Sequence, residues 1–298
     1  MSEIRAPSYA PHEQLVADAR DKPQLWRLLA GLATIVVVAT VFNLILFAVV
    51  TVAGPQEWAS GLMNGSTPIS MVILLSSFGF VTFGVWTAAR QFQKRSLGSI
   101  LGTRGKATRQ FWLVLRALMV LGVVIVTVPH VIMDAPLVQN LSFSVWLVFL
   151  PLSLLAVFVQ ISAEELLFRG YMQQSLAARF RSPIIWMGVP SLLFAVGHYS
   201  PDAAGGNAEL LVLWTGLFGL LAADLTARAG TLGPAIALHF FNNVIALLFV
   251  SLPDTLSGLA LFVLPFDMTD TLTLRQWLYV DFAVMIVSWF IARLALRR

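Results

Sequence analysis

Eight apolar runs constrain what this chain can fold into more than any other feature. They lie at about Leu28 to Val52, Ile69 to Ala88, Phe111 to Met133, Val145 to Ser162, Ile184 to Tyr199, Leu210 to Thr226, Leu232 to Val250 and Trp277 to Leu296. An α-helix rises ~1.5 Å per residue, so about 20 apolar residues cross a hydrocarbon core ~30 Å thick. The fifth and sixth runs are short, which leaves seven crossings as the other count. Of the 298 residues, 58% are hydrophobic and 11% charged, against roughly half and a quarter in soluble domains. The expected fold class is an all-α polytopic membrane protein with about eight transmembrane helices.

Charge sorts the connections into two sets. Arg5, Arg20, Lys22 and Arg27 precede the first run, and Arg90, Lys94, Arg95, Arg104, Lys106 and Arg109 fill the second connection. Arg169, Arg179 and Arg181 follow the fourth run, Arg228 the sixth, and Arg293, Arg297 and Arg298 end the chain. With eight crossings all of these fall on one side, whereas the other side carries Glu57, Asp134, Asp202, Asp254 and Asp267 with Arg275 as its base. By the positive-inside rule both termini are cytoplasmic. The isoelectric point near 9.8 then reflects topology and attraction to anionic lipid, not a nucleic-acid surface.

No cleavable signal peptide is expected, because residues 1–24 are polar and mixed in charge and the first apolar run is too long for a signal segment. The simplest division is a polar cytoplasmic N-terminal tail over 1–24 and a single membrane domain over 25–298, with its motif-bearing core at about 110–250. The amphipathic connections Gln91 to Gln110 and Met172 to Ser182 are expected along the cytoplasmic surface. The chain contains no cysteine, which removes disulfides, thiolate metal sites and a cysteine nucleophile. Its composition points to a bacterial inner (plasma) membrane.

Against this background five polar residues stand out, Glu164, Glu165, His198, His239 and Asn243, because ionisable groups inside membrane helices are costly and mark function by default. The segment Ala163-Glu164-Glu165-Leu166-Leu167-Phe168-Arg169 places two acids at the end of the fourth run. Arg169 lies about 40° round the helix from Glu165 but about 140° from Glu164, so Glu165 can pair with it while Glu164 points elsewhere. A carboxylate left free in this way suits a base that activates water; an acidic pair simply meeting the headgroups is the other reading.

His198 ends an apolar run one turn after Phe194, and His239 precedes Asn243 by one turn. A single histidine in an apolar helix is more often a hydrogen-bonded structural residue; two, with an acid and an amide, shift the balance toward a site. Of the other histidines, His12 lies in the polar tail and His130 at the outer end of the third run. If Trp146 and Trp186 mark opposite interfaces, Glu164 lies ~8 Å from the cytoplasmic face, His239 ~10 Å and His198 ~17 Å. Glu164 and His239 agree in depth; His198 agrees only with tilt, a break near Pro190 or a later start to its helix. Asp224 with Arg228, and Asp281 near the outer end of the last run, read as anchors. Asn43 is expected to bond to a neighbouring helix. Gly230, Gly233 and Pro234 read as a turn that starts the helix carrying His239.

The EExxxR of Glu164, Glu165 and Arg169, the FxxxH of Phe194 and His198, and the HxxxN of His239 and Asn243 occur in that order on successive runs. Together they resemble the CAAX-protease and bacteriocin-processing family of intramembrane peptidases, which includes type II CAAX prenyl endopeptidases and abortive-infection-type proteins. The spacing favours Asn243 over the adjacent Asn242 for the amide. The resemblance implies peptide-bond hydrolysis at the membrane, with Glu164 and His198 activating water, His239 and Asn243 stabilising the oxyanion, and Glu165, Arg169 and Phe194 in support. It also implies a peptide or membrane-anchored protein as partner, besides the lipid bilayer, and no nucleic acid. Glu164, His198 and His239 form a zinc-ligand set by residue type; a metal-free glutamate base fits the same residues. The alternative class is a non-hydrolytic scaffold or immunity protein, or a proton-coupled transporter, and transport predicts repeat-related halves with broken helices.

Overall fold

Each apolar run folds into a helix. The computed structural model describes residues 9–62, 64–132, 136–253 and 255–297. A short N-terminal helix, α1 (Ala10–Val16), precedes α2 (Leu25–Ala53), α3 (Pro68–Gln93), α4 (Arg104–Ile132), α5 (Phe143–Arg179), α6 (Ile184–Val196), α7 (Ala208–Ala229), α8 (Gly233–Phe249) and α9 (Thr271–Leu296). Six of these, α2 to α5, α7 and α9, are long and apolar enough to cross a membrane. The expected eight therefore become six long helices and two shorter ones, α6 and α8, which at ~1.5 Å per residue reach only ~20 and ~25 Å. The expectations for Arg5, Asp134, Asp254 and Arg298, and for the side chains of Glu57, His130 and Asp202, fall outside the described residues.

The helices divide between two packed clusters. Leu28 and Ile35 of α2, Leu75 and Val85 of α3 and Val157 and Ile161 of α5 build one. Val114 and Leu118 of α4, Phe194 of α6, Phe218 of α7, Leu238 and Phe241 of α8 and Met285 of α9 build the other. Phe111, Phe168 and Phe240 pack against both and form the seam. Elsewhere apolar side chains face outward: α2 exposes Val36, Val37, Leu44 and Val52, which suits lipid and not water. Helices in lipid associate through close packing, and small residues allow it. Along α6 and α7 the contact is so tight that a Cβ on Gly219 would lie 2.9 Å from the Ser191 Cβ.

π-Helical turns end α3 at Ala89–Gln93 and α8 at Ile245–Phe249, interrupt α5 at Leu166–Met172 and open α6 at Ile184–Gly188. At one end of the bundle, strands β1 (Val138–Gln139), β2 (Val250–Ser251) and β3 (Phe262–Val263) form a small sheet in the order β1-β3-β2. The β1–β3 pair is antiparallel and the β2–β3 pair parallel.

The basic end departs from the sequence expectation in three places. Residues 9–21, expected within a loose polar tail, are packed: His12 is buried against the Trp186 ring at 4.5 Å, and the Tyr9 hydroxyl donates to Asp224 at 2.6 Å. Gly230, left-handed at φ 68°, makes room for this segment, since a Cβ there would meet the Pro11 carbonyl. Secondly, Met172 to Ser182 does not lie on the surface as an amphipathic connection. Helix α5 continues to Arg179 and buries Gln173, Gln174 and Ser175, with Gln174 accepting from Arg95 at 2.5 Å. Thirdly, Trp146 and Trp186 are not belt residues. Both are buried, and the Trp146 indole donates to the Leu248 carbonyl at 2.7 Å. Asn43 differs too, donating to Ala39 of its own helix at 2.9 Å, the back-bond open to a short polar side chain four residues on.

Candidate active site

The α-helical part of α5 that precedes its π-helical stretch presents Gln160, Glu164 and Glu165 toward α8. Helical geometry puts Gln160 and Glu164 on one face, one turn apart, and Glu165 about 100° round. Immediately afterwards the backbone enters the π-helical stretch Leu166–Met172, a feature that concentrates at functional sites. Within it Arg169 still reaches Glu165 Oε1, at 3.0 Å, with the two side chains 1% and 0% exposed. The i, i+4 pair expected from sequence is present, and it is fully buried.

His239 of α8 meets both acids. Its Nδ1 lies 2.8 Å from Glu165 Oε1 and its Nε2 lies 3.4 Å from Glu164 Oε2. An ionised carboxylate only accepts, so Glu165, with the Arg169 cation beside it, fixes the proton on Nδ1. Nε2 then faces Glu164. Glu164 Oε2, Glu165 Oε2 and one Arg169 terminal nitrogen are buried without a hydrogen bond. Such orphan groups are rare in interiors and concentrate where chemistry is done.

Asn243, one turn after His239, donates to Gln160 Oε1 at 2.9 Å and accepts from Asn242 at 3.2 Å. Both amides of the pair thus enter the network, and Asn243 retains a second N–H. Gln160 was not singled out from sequence. The signal was present, since it lies one turn before Glu164 on a helix that is otherwise apolar.

Phe194 joins the remaining members. The Arg169 guanidinium stacks 4.7 Å from its ring centroid, His239 meets it edge-on at 6.1 Å, and His198 lies against it at 4.5 Å. The Phe218 ring supports His239 from α7 at 4.9 Å. His198 is the member that sequence reasoning could not level with the others, and it remains apart. It sits in the turn after α6, exposed, with Nδ1 2.8 Å from the Phe194 carbonyl. A carbonyl only accepts, so that contact fixes the proton on Nδ1 and leaves the Nε2 lone pair outward. No carboxylate among the described residues lies within ion-pair range of this ring.

Zinc needs three converging protein ligands in a catalytic site. Glu164 and His239 stand close enough to be two of them, but His198 does not join them, and no group of three His, Asp or Glu side chains converges among the described residues. The ligand set suggested by residue type is therefore not assembled in this structure.

Residues 144–245 match the family model described as type II CAAX prenyl endopeptidase Rce1-like. That segment contains Gln160 and all five residues singled out above. The chain is also 25% identical over 185 residues to the uncharacterized protein YyaK of Bacillus subtilis (strain 168), a match covering 60% of each chain. It thus spans less than two thirds of the length of that relative. No solved structure matches it.

Proposed function

Taking residues 144–245 as a domain of the type II CAAX prenyl endopeptidase Rce1-like family, we propose that this multi-pass membrane protein is an intramembrane endopeptidase. It cleaves a peptide or membrane-anchored protein near the basic end of its helices, with both termini on the cytoplasmic side of a bacterial inner membrane. The observation that carries this reading is the buried Glu164–His239–Glu165–Arg169 chain, an arrangement costly in a membrane protein unless used.

In this mechanism Glu164, the acid without a hydrogen bond at Oε2, takes a proton from the water that attacks the scissile carbonyl carbon. His198, held at Nδ1 by the Phe194 carbonyl and apart from Glu164 in the structure, is assigned to assist at the same water because the family resemblance implies it. The oxyanion is met by the second N–H of Asn243 and by the His239 ring, each contact contributing on the order of 3 kcal/mol. As the C–N bond breaks, Glu164 passes its proton to the leaving amine, giving a new carboxyl and a new amino terminus. Glu165 and Arg169 act as positioning residues that hold His239.

Cleavage of a labelled peptide by the purified chain in lipid nanodiscs tests this. Replacing Glu164 by Gln or His198 by Ala should lower kcat by about 10²–10⁴-fold, the usual effect of losing a general base; variants as fast as wild type would refute it. Treatment with a strong chelator should leave the rate unchanged, and a loss restored by zinc would overturn the metal-free assignment.

A further inference from the structure

A cavity of about 510 Å³ runs from the neighbourhood of the site along α9. At the site end Phe218, Leu238 and Asn242 line it; on α9 the lining residues Leu274, Trp277, Asp281, Met285 and Ser288 recur at three- and four-residue intervals, one continuous helical face. Asp281 is in the middle of that face, ~15 Å along the helix from Thr271, within the span where an anchoring role was expected from sequence. Its side chain lines the cavity and is exposed. It makes no hydrogen bond or ion pair among the described residues, and no lysine, arginine or histidine is among the lining residues.

One carboxylate without a counter-ion, in a cavity walled mainly by aliphatic and aromatic groups with the neutral polar side chains Ser200, Asn242, Ser251, Thr255 and Ser288, selects for a cation. Its charge is costly at this depth unless neutralised, and Trp214 and Trp277 add faces to which an organic cation is attracted. The shape admits a side chain and a stretch of backbone, within the usual size of ligand pockets. We propose that this cavity is the substrate cleft and that Asp281 determines specificity by pairing with a lysine or arginine side chain of the substrate. The proposal rests on the peptidase reading above.

The test uses two fluorescent peptides, apolar and identical except for a central lysine or its uncharged isostere norleucine, with the full chain in nanodiscs. In a Glu164→Gln background, where cleavage is blocked, the lysine peptide should bind about tenfold or more tightly than the norleucine peptide. Asp281→Asn should bring the ratio to about one, and Asp281→Glu, which keeps the charge, should restore it, so that loss in the amide variant is not misfolding. Equal binding of the two peptides, including none detectable for either, or a preference that survives Asp281→Asn, overturns the proposal. Selective binding that depends on Asp281, without cleavage by the wild-type chain, would overturn the peptidase reading alone.

Discussion

Gln160 and Arg169 act on the candidate site through other residues, and each makes a prediction. Gln160 holds the Asn243 amide, so Gln160→Leu should lower kcat about tenfold with little change in KM, the signature of a contact made mainly in the transition state. Gln160→Glu keeps an acceptor and should recover most of that loss; equal effects of the two variants would count against positioning. Arg169 is the cation beside a fully buried Glu165. Its replacement by Met strands a charge and should cost about 3–5 kcal/mol of stability, while adding Glu165→Gln should restore part of it. Thermal unfolding of the single and double variants reads this directly. Much of this chemistry was legible in the sequence, because helical spacing alone assigns Arg169 to Glu165 and frees Glu164. Spacing within one helix says nothing of what a second helix brings, which is why the reach of Glu165 to His239, and Gln160 under Asn243, emerged only from the packing.

At the scale of elements, the eight apolar runs were legible because membrane helices announce themselves by length and composition. Their ends were not. Polar residues such as Gln173 and Gln174 read as surface, yet α5 buries both, Gln174 against Arg95 and Gln173 against the Ala223 carbonyl, and π-helical turns leave no pattern in hydropathy. The contact of α6 with α7 sets where Phe194 and the His198 turn stand, and it depends on Gly219. Gly219→Val must displace Ser191 and should cost about 1–3 kcal/mol, the range for overpacking, with a parallel loss of activity. Gly188→Ala, where a Cβ meets nothing within 4 Å, should leave both unchanged. Equal melting temperatures for Gly219→Val and wild type would show that this interface is looser than described.

For the whole molecule, the packed N-terminal segment ties the first residues of the bundle to the seventh and ninth helices. Asp224 accepts from Tyr9, from Arg228 and from the Trp289 indole at 2.6, 2.8 and 3.1 Å. Burial, then the hydrogen bond to Asp224, pushes the Tyr9 phenol up from 10.0 to about 12. A raised acid of this kind is protonated in both states below pH 10, so its contribution is complete there; between pH 10 and about 12 the unfolded chain ionises first and the contribution is lost. The stability difference between wild type and Tyr9→Phe should therefore shrink as pH rises through that window, and a constant difference would contradict the assignment. If both termini are cytoplasmic, as proposed from the basic segments, a fluorescent protein fused to the C-terminus should mature in the cytoplasm, and failure to mature there would contradict that orientation.

The central claim is that the two adjacent acids divide the work, Glu164 reacting and Glu165 holding. It is tested most directly by measuring kcat/KM for peptide cleavage alongside the melting temperature of Glu164→Gln and Glu165→Gln. Glu164→Gln should lower hydrolysis by about 10²-fold or more while melting as wild type does, and Glu165→Gln should lower both activity and melting temperature; a Glu164→Gln variant that cleaves at the wild-type rate would contradict this division.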